Sequence, residues 1–308
     1  MPIRIALVGA GHMGKIHLEK LASMDNVQVT GVADVDLKKA TELAQPYGVP
    51  SFPDYKQLLG TTDGVIIATP TETHFHIARD FLDANVHVLI EKPLTSRQEE
   101  AKAIIDLGKQ KRLIVQVGFL ERFNPAFLKS LAMIRKPLLI ESRRASTFTG
   151  RSTDIDVVLD LMIHDIDLIL SLVKDEVLEV RAEGVSFVMD NLDMARARVE
   201  FAHGCIATLT ANRISPRKER TLAIFEKNRS LFVDLLNRKV ILTEKNNGGG
   251  IVAEEHGVDQ TDAVRHEVAG FIHSIVEGIA PAVTGEDGLK ALILADHIKR
   301  YIAESNRS

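Results

Sequence analysis

The sequence predicts an α/β protein in two parts: a doubly wound parallel sheet in residues 1–120, then an α+β domain with an open, mainly antiparallel sheet in residues 121–308. Up to residue 120, short apolar, β-branched runs alternate with amphipathic segments, the pattern of strands covered by helices on both faces. Beyond Phe123, strand-like runs follow one another, separated by turn pairs such as His203-Gly204 and Asn237-Arg238, which favours hairpins. The length of 308 residues is also about twice a domain of roughly 150.

In the first part, strands are expected at 3–8, 27–33, 64–68, 86–90 and 113–118, with a weaker one at 49–52. Helices are expected at 14–24, 37–45, 73–84 and 96–110. Such a set fits a doubly wound nucleotide-binding sheet. The second part opens with a helix at 125–135, a strand at 138–143, an irregular piece at 146–153 and a long apolar helix at 154–173. Strands follow at 177–187, 194–201, 205–213, 221–225, 230–235 and 239–243. Asn246 to Gly250 reads as a loop, and helices at 262–277 and 286–303 close the chain.

Composition excludes several classes. The single cysteine, Cys205, allows neither an internal disulfide nor a zinc cluster and points to a reducing compartment. The strand-like run starting at Ile3 leaves no room for a signal peptide, so a cytoplasmic protein is expected. The apolar stretch 157–173 is interrupted by Asp160, His164, Asp165 and Asp167 and is no membrane span. A net charge of −4 without long basic runs argues against nucleic acid, residues 213–220 being the basic exception.

Gly9-Ala10-Gly11-His12-Met13-Gly14 follows the first strand and opens the first helix. Gly9 permits the tight turn, Gly11 lets a pyrophosphate approach the backbone, and Gly14 lets the helix pack close to the strand. Asp34 lies 20 residues beyond Gly14, at the end of the second strand, where an acid accepts hydrogen bonds from ribose hydroxyls. Together these predict a Rossmann-type dinucleotide site for NAD, since a 2′-phosphate would meet the carboxylate; Lys38 and Lys39 keep NADP open. A glycine-rich structural turn is the alternative. Ala68-Thr69-Pro70-Thr71 follows the fourth strand, with His74 just inside the next helix, and reads either as crevice backbone beside the cofactor or as an ordinary turn and N-cap. Glu91-Lys92-Pro93 follows the fifth strand. A lysine there suits contact with the nicotinamide end and a substrate oxygen, or is a solvated residue ahead of a helix. The expected cofactor contacts are therefore Gly9, Gly11, His12, Met13, Gly14, Asp34, Ala68, Thr69, Pro70, His74, Glu91 and Lys92.

In the long helix, Asp156, Asp160, His164, Asp167 and Ser171 recur at spacings of 4, 4, 3 and 4, one face of an otherwise apolar helix. Such a stripe either walls a polar cleft or faces water. At i and i+4, Asp160 can hold the His164 imidazole, a group suited to accepting a proton near neutral pH. A lone histidine among helical aspartates lacks a second ligand set, so no metal is expected. The remaining histidines, such as His17, His256, His266 and His273, read as structural or exposed, and Cys205 as a small core residue.

Taken in this order, the motifs resemble the glucose-fructose oxidoreductase and inositol dehydrogenase family, Gfo/Idh/MocA, over almost the whole length. In that family the lysine of Glu-Lys-Pro and the helical Asp and His form the catalytic group, which the resemblance carries onto Lys92, Asp160 and His164. It further implies hydride transfer between a sugar hydroxyl and NAD, and an open sheet that joins subunits into homodimers or homotetramers. Glu121-Arg122-Phe123-Asn124-Pro125, the run from Asp160 to Leu168, and Asn212-Arg213-Ile214-Ser215 with Lys218-Glu219-Arg220 are similar to a nucleotide-sugar branch that includes UDP-N-acetylglucosamine 3-dehydrogenases. Arg122, Asn124 and Arg213 are accordingly expected at the substrate with Lys92, Asp160 and His164. The basic cluster Arg213, Arg217, Lys218 and Arg220 either contacts a diphosphate or is a solvated connection. An inositol or free-sugar dehydrogenase and a non-catalytic NAD-binding regulator are the alternatives.

Overall fold

The computed structural model describes residues 2–148, 150, 155–246 and 248–305. Much of the irregular piece expected at 146–153, and the helix start expected at Asp154, lie outside the described residues. In chain order the elements are β1 (Ile3–Val8), α1 (His12–Ala22), β2 (Val27–Ala33), α2 (Leu37–Ala44), β3 (Ser51–Phe52), β4 (Gly64–Ile67), α3 (Thr71–Asp83), β5 (His87–Glu91), α4 (Gln98–Lys111) and β6 (Val115–Gly118). Then come α5 (Pro125–Leu131), β7 (Leu139–Ala145), a π-type turn (Val158–Met162) running into α6 (Ile163–Leu172), β8 (Val177–Val185), β9 (Met194–Phe201) and β10 (Ile206–Asn212). The chain ends with β11 (Glu219–Glu226), β12 (Arg229–Asp234), β13 (Lys239–Lys245), β14 (Ile251–His256), α7 (Ala263–Glu277) and α8 (Gly285–Ser305).

These elements form two compact units. The first holds residues 1–120 and 262–289 and is built on a six-stranded parallel sheet in the order β3-β2-β1-β4-β5-β6. Strand order reverses between β1 and β4, so the loops after these strands and after β5 open at the carboxyl ends around one crevice. Ile5 and Leu7 alternate with Ala6 and Val8 on opposite faces of β1, and all four are buried, as a sheet covered on both sides requires. On one face Ile5, Leu7, Ile66 and Leu89 share a core with Leu18 and Leu21 of α1 and with Val264, Val268, Phe271 and Ile272 of α7. This return of residues 262–289 departs from the single boundary expected at residue 120. The α7 stripe at i, i+4, i+7 and i+8 announces a helix with one apolar face, but periodicity carries no information about which sheet that face will cover.

The second unit holds residues 121–261 and 290–308 around an eight-stranded sheet in the order β14-β13-β12-β11-β7-β10-β9-β8. It is antiparallel throughout except between β7 and β10, which pair in parallel with Leu139 opposite Ile206. Burial alternates along its strands. Ala195, Ala197, Val199 and Phe201 of β9 and Ala207, Leu209 and Ala211 of β10 are buried, while Glu141 and Arg143 of β7 and Phe225 and Phe232 of β11 and β12 are exposed. One side is thus a core face, packed by α5 and α6, and the other lies open. The strand β14 was not expected; Val252, Ala253 and two glutamates follow a glycine loop and give no alternating apolar pattern, because this edge strand is exposed.

Candidate active site

In the first unit, the turn between β1 and α1 is shaped by its glycines. Gly9 adopts φ +104°, a left-handed conformation, donates its amide to the Ala33 carbonyl at 2.8 Å, and would place a Cβ 2.4 Å from the Ala68 carbonyl oxygen. A Cβ on Gly14 would lie 1.9 Å from the Gly9 carbonyl oxygen, so only glycine lets α1 pack so closely on the turn. Gly11 has nothing within 4 Å of its Cβ direction and is the N-cap of α1 without a side-chain cap, leaving backbone donors and open space of the kind a pyrophosphate fits. Asp34, just beyond β2, accepts the Ala10 amide at 2.7 Å and the Asp36 amide at 2.9 Å, which holds its carboxylate beside the glycine turn.

These groups line a cavity of about 980 Å³ with Val8, His12, Met13, Lys39, Tyr55, Ala68, Thr69, Pro70, Thr73, His76, Glu91 and Lys92. The open glycine, an acid at the end of β2 and the size of the cavity fit a dinucleotide. Of the expected cofactor contacts, Gly14 and His74 are absent from the lining. Gly14 is buried in the packing of α1 on the turn. His74 is buried beneath the lining, with Nδ1 3.0 Å from the Pro93 carbonyl and Nε2 2.9 Å from the Thr69 carbonyl, so it ties the loop after β4 to the loop after β5. Burial pulls its pKa below the usual histidine range, against the pull of those carbonyls. Tyr55 and His76 were missed by sequence reasoning. Tyr55 donates its hydroxyl to Asp80 at 2.8 Å, and burial, aided by that carboxylate, pushes its pKa up to about 12. Neither belongs to a motif at a strand end, and no signal marked them.

In the second unit the acidic stripe divides. Asp156 caps the π-type turn by accepting the amides of Val158 and Leu159, both at 3.0 Å, and pairs with Lys299 at 2.7 Å. Asp167 is fully buried and accepts a bidentate pair from Arg122 at 2.7 and 2.9 Å. Asp160, in the π-type turn, and His164, in the first turn of α6, are the half-buried members between them. Local widening of a helix by an extra residue per turn is frequent where functional side chains must be re-aimed.

Neighbouring arginines and acids are tied to each other. Arg144 bonds Asp165 at 2.8 Å and Glu121 at 2.9 Å, and Glu121 also accepts from Arg220 at 3.2 Å. Burial opposes charge on both Arg144 and Glu121. Even so, the two carboxylates hold Arg144 above the ordinary arginine range, while Arg144 and Arg220 hold Glu121 below the ordinary glutamate range. Asn124 caps α5 by accepting the Ala126 amide at 3.0 Å and donates to the Leu235 carbonyl at 3.0 Å. Arg213, expected at a diphosphate, is buried. It donates to Asp193 at 2.8 Å and to the carbonyls of Ile155 and Leu192 at 2.7 and 3.0 Å. A guanidinium so enclosed is part of the unit's interior, whereas Arg217, Lys218 and Arg220 of the same cluster are exposed, Arg220 in its pair with Glu121.

Residues 3–119 match an oxidoreductase family with an NAD-binding Rossmann fold, and residues 134–231 match the Gfo/Idh/MocA C-terminal domain. The chain belongs to the Gfo/Idh/MocA oxidoreductase family. It is 35% identical over 304 residues to a UDP-N-acetylglucosamine 3-dehydrogenase of Acidithiobacillus ferrooxidans, covering 96% of both chains. A solved structure of that protein matches with a TM-score of 0.94 at 34% identity, covering 98% of both chains. A myo-inositol 2-dehydrogenase of Thermotoga maritima is 26% identical over 326 residues, covering 98% of this chain and 97% of the relative. A levoglucosan dehydrogenase solved with NADH shares the fold, with a TM-score of 0.89 at 21% identity over 99% and 98% of the two chains. This Gfo/Idh/MocA member is a dehydrogenase, and its first unit is an NAD-binding Rossmann domain. Among the described residues, no helix is long and apolar enough to cross a membrane.

Proposed function

We propose that this dehydrogenase oxidises a secondary hydroxyl of a nucleotide sugar, with UDP-N-acetylglucosamine at C3 as the first candidate. The observation that carries this reading is the 35% identity, spread over 96% of both chains, to a UDP-N-acetylglucosamine 3-dehydrogenase. On this reading Lys92, Asp160 and His164, the residues that the motif resemblance carries over as the catalytic group, supply the needed chemistry. NAD, when bound, supplies the hydride acceptor for the carbinol hydrogen. His164 accepts the hydroxyl proton as general base, so the carbinol becomes a ketone with loss of one hydride and one proton. Asp160 orients the imidazole and stabilises its charged form. Lys92 donates a hydrogen bond to the substrate oxygen and stabilises the negative charge that develops there. With Arg213 enclosed, contact with the diphosphate falls to the exposed Arg217 and Lys218. The open face of the second sheet, with Phe225 and Phe232 exposed on it, suits a subunit contact in a homodimer or homotetramer.

The test is the formation of NADH, followed by absorbance, across UDP-N-acetylglucosamine, other nucleotide sugars, free sugars and inositols. Turnover with UDP-N-acetylglucosamine that is lost when the nucleotide is removed supports the reading, because remote contacts then supply the binding energy. Equal or better turnover of an inositol transfers the assignment to the polyol dehydrogenases of the family. Cofactor binding with no turnover across the panel points to a regulator.

A further inference from the structure

Beneath the end of β5 the first unit buries a group of polar side chains that the chemistry above leaves unused. His17 of α1 and Glu267 of α7 are fully buried, and Glu91 is 8% exposed. One donor or acceptor atom from each of the three lies within 4.8 Å of the other two. His17 Nε2 is 2.7 Å from Glu91 Oε1. Among the described residues both carboxyl oxygens of Glu267 lack a hydrogen-bond partner, as do His17 Nδ1 and Gln116 Oε1; the Gln116 amide donates to the Glu267 backbone carbonyl at 3.2 Å. An ionised Glu267 would be a second buried carboxylate close to Glu91 with no cation bonded to it, an arrangement that costs several kcal/mol. A proton on Glu267 removes that cost and gives the cluster a donor.

A metal ion fits less well. Two ligands of a tetrahedral ion with bonds of 2.0–2.1 Å stand about 3.3 Å apart, whereas His17 and Glu91 are at hydrogen-bond distance. We propose that Glu267 carries a proton in the folded enzyme and, packed beside the hydrogen-bonded His17–Glu91 pair, completes a buried polar cluster that positions Lys92. Glu91 immediately precedes Lys92 and itself lines the cofactor cavity, so α7 braces the end of β5 from below. Burial first, and then the neighbouring Glu91 carboxylate, raise the Glu267 pKa well above the ordinary glutamate range. The positioning role rests on the reading of Lys92 as a catalytic residue; the protonation of Glu267 does not.

Two measurements on the NAD-loaded enzyme test this. Infrared difference spectra of wild type against E267Q at neutral pH are expected to show the carbonyl band of a buried protonated carboxylic acid, absent from E267Q. Wild type without that band overturns the protonation, as does a stoichiometric divalent metal that purifies with wild type and is lost in E267Q. In kinetics, E267L is expected to lower kcat on the order of tenfold with KM for NAD changed less than about twofold, because a displaced lysine is felt in the transition state more than in cofactor binding. E267Q keeps a neutral hydrogen-bonding group and is expected to rescue kcat to within about threefold of wild type. Equal impairment of E267Q and E267L overturns the positioning role. Full turnover in K92M removes the catalytic lysine while leaving the infrared result standing, which separates the two failures.

Discussion

In the first unit the polar residues singled out at strand ends mostly border open space, whereas in the second those around α6 are mostly bound to one another. Gly11, Asp34, Thr69 and Lys92 line one cavity. Asp156, Asp165, Asp167 and Asp193 each meet a cation, from Lys299, Arg144, Arg122 and Arg213 respectively. The contrast follows from architecture. A doubly wound sheet leaves its loops at the carboxyl ends, so polar residues there face a crevice. A helix laid on an open sheet buries whatever its inner face carries, and acids on that face must be neutralised by bases from the strands or loops. An acid in a buried helix is therefore first a candidate for pairing. Asp160 and His164, on the same stripe, are half-buried.

The substitution with the largest expected effect tests that distinction. H164A is expected to lower kcat by roughly 10²- to 10⁴-fold, the usual contribution of a positioned general base, with NADH affinity held. Turnover is read by NADH absorbance and affinity by fluorescence titration; unchanged kcat would place the base elsewhere. The pairing side of the comparison is broken by R144M. Removing the cation leaves Asp165 and Glu121 buried without it, a loss of about 3–5 kcal/mol. Urea unfolding is expected to show it as a lowered midpoint at constant slope. A loss below about 1 kcal/mol would mean that the network behaves like a surface ion pair.

Legibility in the sequence followed the same division. The turn at Gly9 to Gly14 and the places of Asp34 and Lys92 at the cavity were readable because local geometry sets them: positive φ, close helix packing and strand ends all leave a mark in residue order. The six parallel strands were readable from apolar runs, since burial on both faces leaves no other pattern. Partner choice was not readable. Nothing around Arg213 states that Asp193 lies across from it, 20 residues away, or that Arg122 meets Asp167 at a separation of 45. The same holds for α7, whose stripe shows a buried face without naming the sheet beneath it, and for His74, which looked like a cavity residue and sits one layer below.

Asp193 gives a milder and pH-resolved version of the pairing test. Burial would raise its pKa, but the amides of Val188, Met189 and Phe187 and the Arg213 guanidinium pull it down to about 2. With the unfolded value near 3.9, the folded state binds fewer protons than the unfolded state between these limits. The stabilisation is complete above about pH 4 and is lost as pH falls through about 2. D193N is expected to cost about 2 kcal/mol at pH 7 and to flatten the acid limb of a stability profile measured by urea unfolding. An unchanged acid limb would show that the Asp193 carboxylate is not what holds the turn at Phe187 to Met189.

The smallest expected effect lies on the open side of the comparison, at Asp34. Its carboxylate does two things: it bonds the amides of Ala10 and Asp36, and it presents negative charge to the cavity. D34N separates them. The asparagine oxygen can serve only one of the two amides, so use of both cofactors is expected to fall as the glycine turn loosens. The loss of charge acts on the ratio alone. Removing one like-charge contact with a 2′-phosphate in a water-filled crevice is worth about 1 kcal/mol, or about fivefold in favour of NADP in the ratio of kcat/KM values. A ratio that stays constant while both values fall would assign Asp34 to holding the turn, and would move cofactor discrimination to Lys39, which borders the same cavity.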